Sequence, residues 1–288
     1  MRSARDFEII DIHQHCGGAD AMFGPGKAFT AEDDVRIRTG NMDRHGIDRA
    51  ILLPSSMDRD IVAANDFTAA CRDLLPDRFP ACLGTVDPTD SGAPAEMDRC
   101  LGKLGMKGMA WHHRFNGVVL DHPGMKPLLA RLQEAKLPAF IHIIAGSTLE
   151  SPWRLENLAD DFPDVTFVAL DAFSSSDQAM WMPRIARTHP NMLFDTGVMT
   201  SVGHGLSRFV KRYGANRLLL GTDCYSEPAY HTPFPVTELL ASPLADADLR
   251  LIFAGNIRRL LGLGDGAPKG EFESAESANE HSAGDSDR

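Results

Sequence analysis

Short runs of β-forming residues alternate with segments of helical periodicity along most of this chain. Most of the runs are continuously apolar, which is typical of parallel strands that helices cover from the outside. Eight such runs and eight helical segments predict an α/β chain folded as a single (β/α)8 TIM barrel. The predicted strands are 7–12, 49–54, 81–86, 107–111, 138–144, 165–170, 192–196 and 217–222. The predicted helices lie at about 60–76, 94–104, 124–136, 153–162, 178–189, 204–213, 234–241 and 246–262.

A doubly wound open sheet is the alternative fold. The sequence gives it little support, because no Gly-x-Gly-x-x-Gly motif follows the first strand. A barrel also suits the size of the chain, which has 288 residues, 43% of them hydrophobic, and can bury a large core.

The net charge of the chain bears on which partners it can bind. The net charge is −11, and residues 265–288 contribute −5 through seven acidic and two basic residues, which leaves −6 for the rest. We therefore expect no nucleic-acid partner. The expected partner is instead a small-molecule substrate. Apolar side chains almost disappear from 264–288, which predicts a disordered tail after one barrel domain at 1–263.

The cysteines and the apolar segments indicate the compartment. Five cysteines are an odd number, and none of them forms a Cys-x-x-Cys motif, which favours reduced thiols. The N-terminus lacks the apolar core of a signal peptide, and no apolar run approaches the length of a membrane span. We expect a soluble cytoplasmic protein with no membrane partner.

Two histidines one residue apart, His13 and His15, end the first predicted strand. Side chains alternate along a strand, so both imidazoles point the same way. The active site of such a barrel lies at the carboxyl ends of its strands, where the fifth strand brings His142 and the eighth brings Asp223. Three imidazoles and a carboxylate suit zinc or another first-row divalent ion. A histidine such as His142 on an apolar strand is, taken alone, more often a buried, hydrogen-bonded core residue, and Asp223 is also compatible with a helix N-cap.

Seven segments in a fixed order resemble one known family. They are IDIHQH at 10–15, PDRF at 76–79, GMKGM at 105–109, NGVVLDHPGMKPLL at 116–129, LPAFIH at 137–142, RLLLGTD at 217–223 and IFAGNIRRLLGL at 252–263. Together they resemble the amidohydrolase superfamily, specifically the amidohydrolase-related branch that includes aminocarboxymuconate-semialdehyde decarboxylase. The resemblance implies one divalent metal, usually Zn²⁺ with Mn²⁺ or Fe²⁺ as alternatives, held by His13, His15, His142 and Asp223. It also implies a homodimer.

The sequence departs from this family at the end of the sixth strand. Relatives carry a histidine there that acts as an acid or base, whereas FVALDAF places Asp171 at that point. An ionised aspartate only accepts hydrogen bonds, so it can donate only where its environment keeps it protonated. Asp171 is therefore a general base, an additional metal ligand, a sign of altered chemistry, or merely the cap of the turn at 174–176.

Further candidates line the predicted strand ends. His112 and His113 end the fourth strand, and alternation turns only one of them inward; we take His113 as a substrate-binding candidate. Arg114 is a candidate for binding a substrate carboxylate, and Arg59 is a comparable candidate, although both are compatible with solvated surface.

Other residues near the predicted site have less specific interpretations. Either His204 or His231, near the loops after the seventh and eighth strands, could replace the missing histidine. Cys16 and Cys224 are interpreted as packing residues.

Three hypotheses follow for the function. The leading one is a metal-dependent hydrolase of a small amide, lactone or ring carbonyl. The metal would activate a water molecule, and Asp223 would act as the catalytic base, with Asp171 as a further candidate. The second is a metal-dependent, non-oxidative decarboxylase of an aromatic or enoic acid, which the resemblance at 116–123 favours and the missing sixth-strand histidine disfavours. The third is a metal-free lactonase or a catalytically silent binding relative, against which the four intact ligands argue.

Overall fold

The eight predicted strands are all present and run parallel. The computed structural model describes residues 2–17, 29–55, 57–198, 203–225 and 233–264. Strands pair in the order β1-β2-β3 and β4-β5-β6-β7-β8. They are β1 (Ile10–Cys16), β2 (Arg49–Pro54), β3 (Ala81–Cys82), β4 (Met109–Trp111), β5 (Ala139–His142), β6 (Phe167–Leu170), β7 (Met192–Asp195) and β8 (Leu218–Leu219).

Backbone hydrogen bonds close these two groups of strands into a ring. Between β3 and β4, the Gly84 N–H donates to the Gly108 carbonyl at 3.1 Å. Between the end of β8 and β1, the Cys224 N–H donates to the His13 carbonyl at 3.1 Å. The closed parallel ring confirms the predicted (β/α)8 barrel.

Each of the eight predicted helical segments coincides with a helix, and the last one is divided by a π-helical turn at Leu251–Gly255. Ser151 precedes one of these helices and Pro152 is its first residue, a position that proline suits. The helices are α1 (Ala31–His45), α2 (Ile61–Leu74), α3 (Ala93–Gly102), α4 (His113–Asn116), α5 (Met125–Ala135), α6 (Pro152–Asp161), α7 (Ser176–Thr188), α8 (Gly203–Tyr213), α9 (Phe234–Ala241), α10 (Asp246–Arg250) and α11 (Asn256–Leu261).

Helix α1 is an element that the sequence patterns did not predict. Its buried face carries Asp34, Arg38 and Asn41 beside Met42, so it lacks the apolar stripe that identifies most surface helices. Arg38 is nearly fully buried, and it binds Asp34 at 2.8 Å and the carbonyl of His15 at 2.6 Å. A buried ion pair therefore docks this helix against the histidine-bearing strand.

A change of register within β1 aims its histidines into the barrel. Ile10 and Ile12 belong to the apolar cluster that fills the barrel, together with residues of α11. The pairing of β1 with β2 shifts between Asp11 and Gln14. Such an irregularity inserts an extra residue and redirects the side chains that follow it. His13 and His15 therefore face the same interior as the isoleucines, at the opposite end from α11.

Three further predictions concern membrane-spanning helices, the cysteines and the C-terminal tail. No helix among the described residues is long and apolar enough to cross a membrane. All five cysteines are buried and unpaired, as the sequence predicted. The predicted tail lies outside the described residues, apart from Gly264.

Candidate metal centre

Four side chains converge at the carboxyl end of the barrel strands: His13 and His15 on β1, His142 on β5, and Asp223 after β8. Nε2 of His13 lies 3.1 Å from Nε2 of His15 and 3.1 Å from Nε2 of His142. Oδ1 of Asp223 lies 3.2 Å from Nε2 of His13 and 3.3 Å from Nε2 of His15. The structure thus brings together the four residues that the sequence pointed to, which we call the four-ligand cluster.

The opposite nitrogen of each clustered histidine faces an oxygen that can accept a hydrogen bond. Because carboxylates and carbonyls only accept, each Nδ1 carries the hydrogen and each Nε2 presents a lone pair to the others. Metal-binding histidines are typically oriented in this way. The acceptors are Asp195 Oδ2 for His13 at 2.7 Å, the Pro54 carbonyl for His15 at 3.1 Å and the Trp111 carbonyl for His142 at 2.8 Å.

Three lone pairs and one carboxylate oxygen at these distances repel one another unless a positive charge, from a proton or a metal ion, lies between them. Oδ1 of Asp223 is moreover buried without a hydrogen-bond partner, which is costly for a carboxylate. Imidazole nitrogen with carboxylate oxygen is a donor set that zinc, manganese and iron all accept. The residues present therefore fit a single divalent metal.

The pKa values of the three clustered histidines indicate that the cluster favours one positive charge. Although burial opposes it, the carboxylates of Asp195 and Asp223 raise the pKa of His13 to about 10. Burial lowers the pKa of His15 and, together with the charge of His112, holds that of His142 well below its usual range. Without a metal, the cluster thus holds one positive charge as a proton on Nε2 of His13, which a bound cation would replace, while the other two imidazoles stay neutral.

Two carboxyl groups of the site have pKa values displaced in opposite directions. Burial, with the charges of Asp223 and Asp195, raises the pKa of Asp171 well above its ordinary value, despite the opposing effect of His13. For Asp223, the charges of His13 and His15 outweigh burial and lower the pKa. Asp223 is therefore ionised, as a ligand requires, and Asp171 favours its protonated form.

Asp171 follows β6 in the left-handed backbone region, with φ 61°. Its Oδ1 lies 3.9 Å from Nδ1 of His13 and is buried without a hydrogen-bond partner. The turn after Asp171 is held by a backbone hydrogen bond, since the Asp171 carbonyl accepts from the Ser174 N–H at 3.0 Å. The Asp171 carboxyl group is therefore left for the site, beside the four-ligand cluster.

Asp195, at the end of β7, is a site residue that the sequence patterns did not identify. Its side chain is fully buried, with Oδ2 on His13 and Oδ1 accepting the Asp171 N–H at 2.6 Å. The run MLFDT does place a carboxylate at a strand's carboxyl end. That signal could have identified Asp195.

His112, rather than His113, turns towards the cluster from the end of β4. The ring of His112 stacks on that of His142, and its Nδ1 lies 2.6 Å from Oε1 of Glu150. Glu150 is fully buried and also accepts the Arg114 N–H at 3.0 Å; it lies in a loop after β5 where no sequence pattern marks it. His113 is fully buried with both ring nitrogens unpartnered. The substrate role predicted for His113 thus fits the position of His112 better.

Arg114 lies on the exposed side of the same segment. Its guanidinium carbon is 4.9 Å from the centre of the Phe115 ring. Its positive charge also opposes the rise that burial causes in the pKa of Tyr225. Tyr225 in turn stacks on His15 with 4.5 Å between ring centroids. A phenol therefore lies beside the four-ligand cluster, and a cation acts on that phenol electrostatically.

The other sequence candidates are exposed, packed in the interior or outside the described residues. Arg59 is exposed. The side chain of His204 and the whole of His231 fall outside the described part of the chain. Cys16 packs in the core cluster between the helices and the strands, and Cys224 is likewise buried.

Solved structures with the same fold include several decarboxylases. A 5-carboxyvanillate decarboxylase from Sphingomonas paucimobilis matches with a TM-score of 0.67 and 17% identity, over 90% of this chain and 100% of that one. A 2,6-dihydroxybenzoate decarboxylase bound to 2,6-dihydroxybenzoate matches with a TM-score of 0.66 and 20% identity, over 89% and 100%. A dihydroxybenzoic acid decarboxylase from Polaromonas sp., with bound manganese and 2-nitroresorcinol, matches with a TM-score of 0.64 and 20% identity, over 89% and 97%.

These identities are low, so the likeness establishes the shared barrel fold. No curated protein matches the sequence. The family model for amidohydrolases, in contrast, matches residues 10–263, which include the whole barrel and the four-ligand cluster. The chain therefore belongs to the amidohydrolase family of enzymes, as its sequence motifs indicated.

Proposed function

We propose that this chain is a metal-dependent, non-oxidative decarboxylase of a hydroxylated aromatic acid. The observation that carries the proposal is the four-ligand cluster, whose converging imidazole nitrogens and unpartnered Asp223 oxygen fit a divalent metal. Support for the reaction comes from the barrels of similar fold, several of which are named as decarboxylases of hydroxylated benzoates. The decarboxylase hypothesis thereby moves ahead of the hydrolase hypothesis that the sequence placed first.

His13, His15, His142 and Asp223 are the residues that would hold the metal. A divalent ion there supplies charge neutralisation for a substrate carboxylate and a neighbouring hydroxyl oxygen. The sequence predicted zinc, whereas manganese is bound in the dihydroxybenzoic acid decarboxylase from Polaromonas sp.. Both ions accept this donor set, so we propose a first-row divalent metal and leave its identity to elemental analysis.

Asp171 is the residue best placed to supply the proton that the reaction needs. Decarboxylation converts the aryl carboxylate and one proton into the arene and CO₂. The ring carbon gains a C–H bond, the bond to the carboxylate carbon breaks, and its electron pair returns to the ring. Burial, with the charges of Asp223 and Asp195, raises the pKa of Asp171 and favours a protonated carboxyl group, whose Oδ1 lies 3.9 Å from Nδ1 of His13. A protonated aspartate can act as the acid, so the missing sixth-strand histidine does not exclude decarboxylation.

The residues around the cluster offer contacts for the rest of an aromatic acid. Arg114 supplies an exposed cation for an anionic substituent. His112 is held by Glu150 through Nδ1. With Nδ1 held by Glu150, Nε2 is the nitrogen left to hydrogen-bond a substrate hydroxyl.

A hydrolase is the second candidate, and one observation favours it. The ionised Asp223 has a buried oxygen without a hydrogen-bond partner, close to two imidazole nitrogens. A carboxylate in that position is suited to take a proton from an attacking water. The substrate would then be a lactone or amide rather than an acid that loses CO₂.

The experiment that separates the two reactions is a paired assay of the manganese-loaded chain. One arm measures CO₂ release from 2,6-dihydroxybenzoate and 5-carboxyvanillate, with benzoate as the control that lacks hydroxyl groups. The other arm measures hydrolysis of a panel of lactones and amides. We expect one CO₂ per arene formed, and none from an Asp223→Asn variant. Hydrolysis without CO₂ release would support the second candidate, and inactivity of the loaded protein in both arms would remove both.

A further inference from the structure

We propose that Asp195 is a positioning residue that fixes two members of the centre at once, the ligand His13 and the acid Asp171. The inference rests on the proposed function in two respects, namely that the four-ligand cluster binds a metal and that Asp171 acts as the acid. Oδ2 of Asp195 lies 2.7 Å from Nδ1 of His13, and Oδ1 accepts the Asp171 N–H at 2.6 Å. One carboxylate therefore spans the ends of β1, β6 and β7.

The backbone around Asp195 is packed too closely for a side chain to intervene. A Cβ added to Gly197 would lie 2.6 Å from Nδ1 of His13 and 2.7 Å from Oδ1 of Asp171. A Cβ added to Gly221 would lie 2.3 Å from Oδ2 of Asp195. These separations are far below van der Waals contact. Glycine at 197 and 221 therefore allows the carboxylate, the imidazole and the acid to approach one another.

Both groups held by Asp195 need to be fixed. An imidazole can carry its hydrogen on either nitrogen, and only the form with hydrogen on Nδ1 leaves the His13 Nε2 lone pair for a metal. Asp171 adopts a left-handed conformation that is unusual for a residue other than glycine, and such a conformation persists only where the surroundings enforce it. The hydrogen bond from the Asp171 N–H to Asp195 is one contact that stabilises this conformation.

A carboxylate can satisfy both donors, but an amide cannot. Asparagine offers one accepting oxygen, and its NH₂ group would face the hydrogen of either His13 Nδ1 or the Asp171 backbone. In Asp195→Asn, therefore, either His13 shifts its hydrogen to Nε2 and loses the lone pair for the metal, or Asp171 loses its backbone contact. The substitution preserves the size and shape of the side chain.

The test measures the affinity of Asp195→Asn for Mn²⁺ by competition with a chromophoric chelator. Loss of a carboxylate that orients a metal ligand typically weakens affinity about 10- to 100-fold, and we expect that range here. The matched control is Asp121→Asn, which removes a carboxylate bonded to Arg154 and Asn157, away from the cluster. Mn²⁺ affinity in folded Asp195→Asn within about twofold of wild type would overturn the proposal.

A second measurement is independent of metal binding. In metal-free protein with ¹⁵N-labelled histidine, the hydrogen bond to Asp195 should give His13 a strongly downfield Nδ1–H resonance, which Asp195→Asn should lose. If wild type binds no Mn²⁺, the proposed function fails, while this resonance still tests the contact. An unchanged resonance in the variant would overturn the positioning role.

Gly197→Ala is the alternative test variant if Asp195→Asn does not fold. It leaves all charges in place and introduces a methyl group against His13, Asp171 and Asp195. We expect it to weaken Mn²⁺ binding in the same direction. Wild-type affinity in this variant, with an unchanged His13 resonance, would contradict the proposal.

Discussion

The imidazole of His112 lies flat against that of His142, with 4.1 Å between ring centroids and 5° between ring planes. On its far side, Nδ1 of His112 lies 2.6 Å from the buried carboxylate of Glu150. Stacking fixes the plane of the His112 ring, and the carboxylate fixes its rotation. A candidate metal ligand is thereby in contact with a second oriented histidine that is not a ligand.

Replacing His112 should separate substrate chemistry from metal binding. His112→Phe retains a flat ring against His142 but removes both nitrogens, so we expect kcat for decarboxylation to fall about 100-fold with metal content unchanged. Glu150→Gln retains an acceptor for Nδ1 and removes the charge, so a smaller loss of about 10-fold is expected on the same grounds. Steady-state kinetics and elemental analysis of each variant provide the measurement. Wild-type kcat in both fully loaded variants would contradict a role for this pair.

Divalent metal should stabilise the folded chain through the four-ligand cluster. A ligand that binds only the folded state at 100 times its dissociation constant adds about 2.7 kcal/mol. We therefore expect Mn²⁺ or Zn²⁺ to raise the melting temperature of wild type by several degrees, and His15→Ala to abolish most of that rise. Calorimetry with and without metal provides the measurement.

The control for this experiment is a histidine outside the cluster. His122→Ala removes an imidazole whose Nδ1 accepts a backbone N–H from Gly124. This variant should keep the full rise in melting temperature. An equal loss in His122→Ala and His15→Ala would show that the metal acts elsewhere.

The barrel and the four-ligand cluster were predictable because they depend on local patterns. A continuously apolar run marks a buried parallel strand wherever it occurs, and a polar residue at its carboxyl end lies in the site. Helix α1 was missed because its buried face carries an ion pair, Asp34 with Arg38, instead of an apolar stripe. No periodicity of apolar residues reveals such a helix.

The surroundings of the four-ligand cluster were harder to predict because they depend on tertiary contacts. Alternation could not choose between His112 and His113, since β4 ends at Trp111 and a helix begins at His113. The contact of Asp195 with His13 joins residues 182 positions apart. The protonation of Asp171 likewise depends on carboxylates contributed by other strands.

Asp171→Asn should remove the acid while preserving the fold. Asparagine tolerates the left-handed backbone that this position requires. Because the amide cannot deliver a proton, kcat for decarboxylation should fall about 100-fold or more while metal affinity stays close to that of wild type. Kinetics on the manganese-loaded variant measure this effect. Unchanged kcat would assign the proton to another group.

The same variant should also differ from wild type in the pH dependence of its stability. Burial and neighbouring carboxylates raise the pKa of Asp171 above the unfolded value of about 3.9. The stability that neutral Asp171 contributes is complete below about pH 3.9 and is lost as the pH rises towards the pKa of Asp171 in the folded chain. Metal-free Asp171→Asn should lack this loss, which urea unfolding between pH 4 and pH 8 would detect as a flatter profile.

His113 should make the fold sensitive to mild acid. Burial and the charge of His112 lower the pKa of His113 to about 3, whereas the unfolded chain has a histidine pKa of about 6.5. Since the unfolded state binds the proton first, the stability due to neutral His113 is complete above about pH 6.5 and is lost as the pH falls towards 3. At pH 5 the loss from this residue amounts to about 2 kcal/mol.

His113→Leu isolates this contribution, because leucine has a similar volume and does not titrate. Any change in packing shifts the free energy of unfolding equally at both pH values, so the relevant quantity is the difference between pH 7 and pH 5. Urea unfolding should show that wild type loses about 2 kcal/mol more than the variant over this interval. Equal losses would mean that His113 binds its proton as readily in the folded chain as in the unfolded one, which its complete burial and unpartnered ring nitrogens make unfavourable.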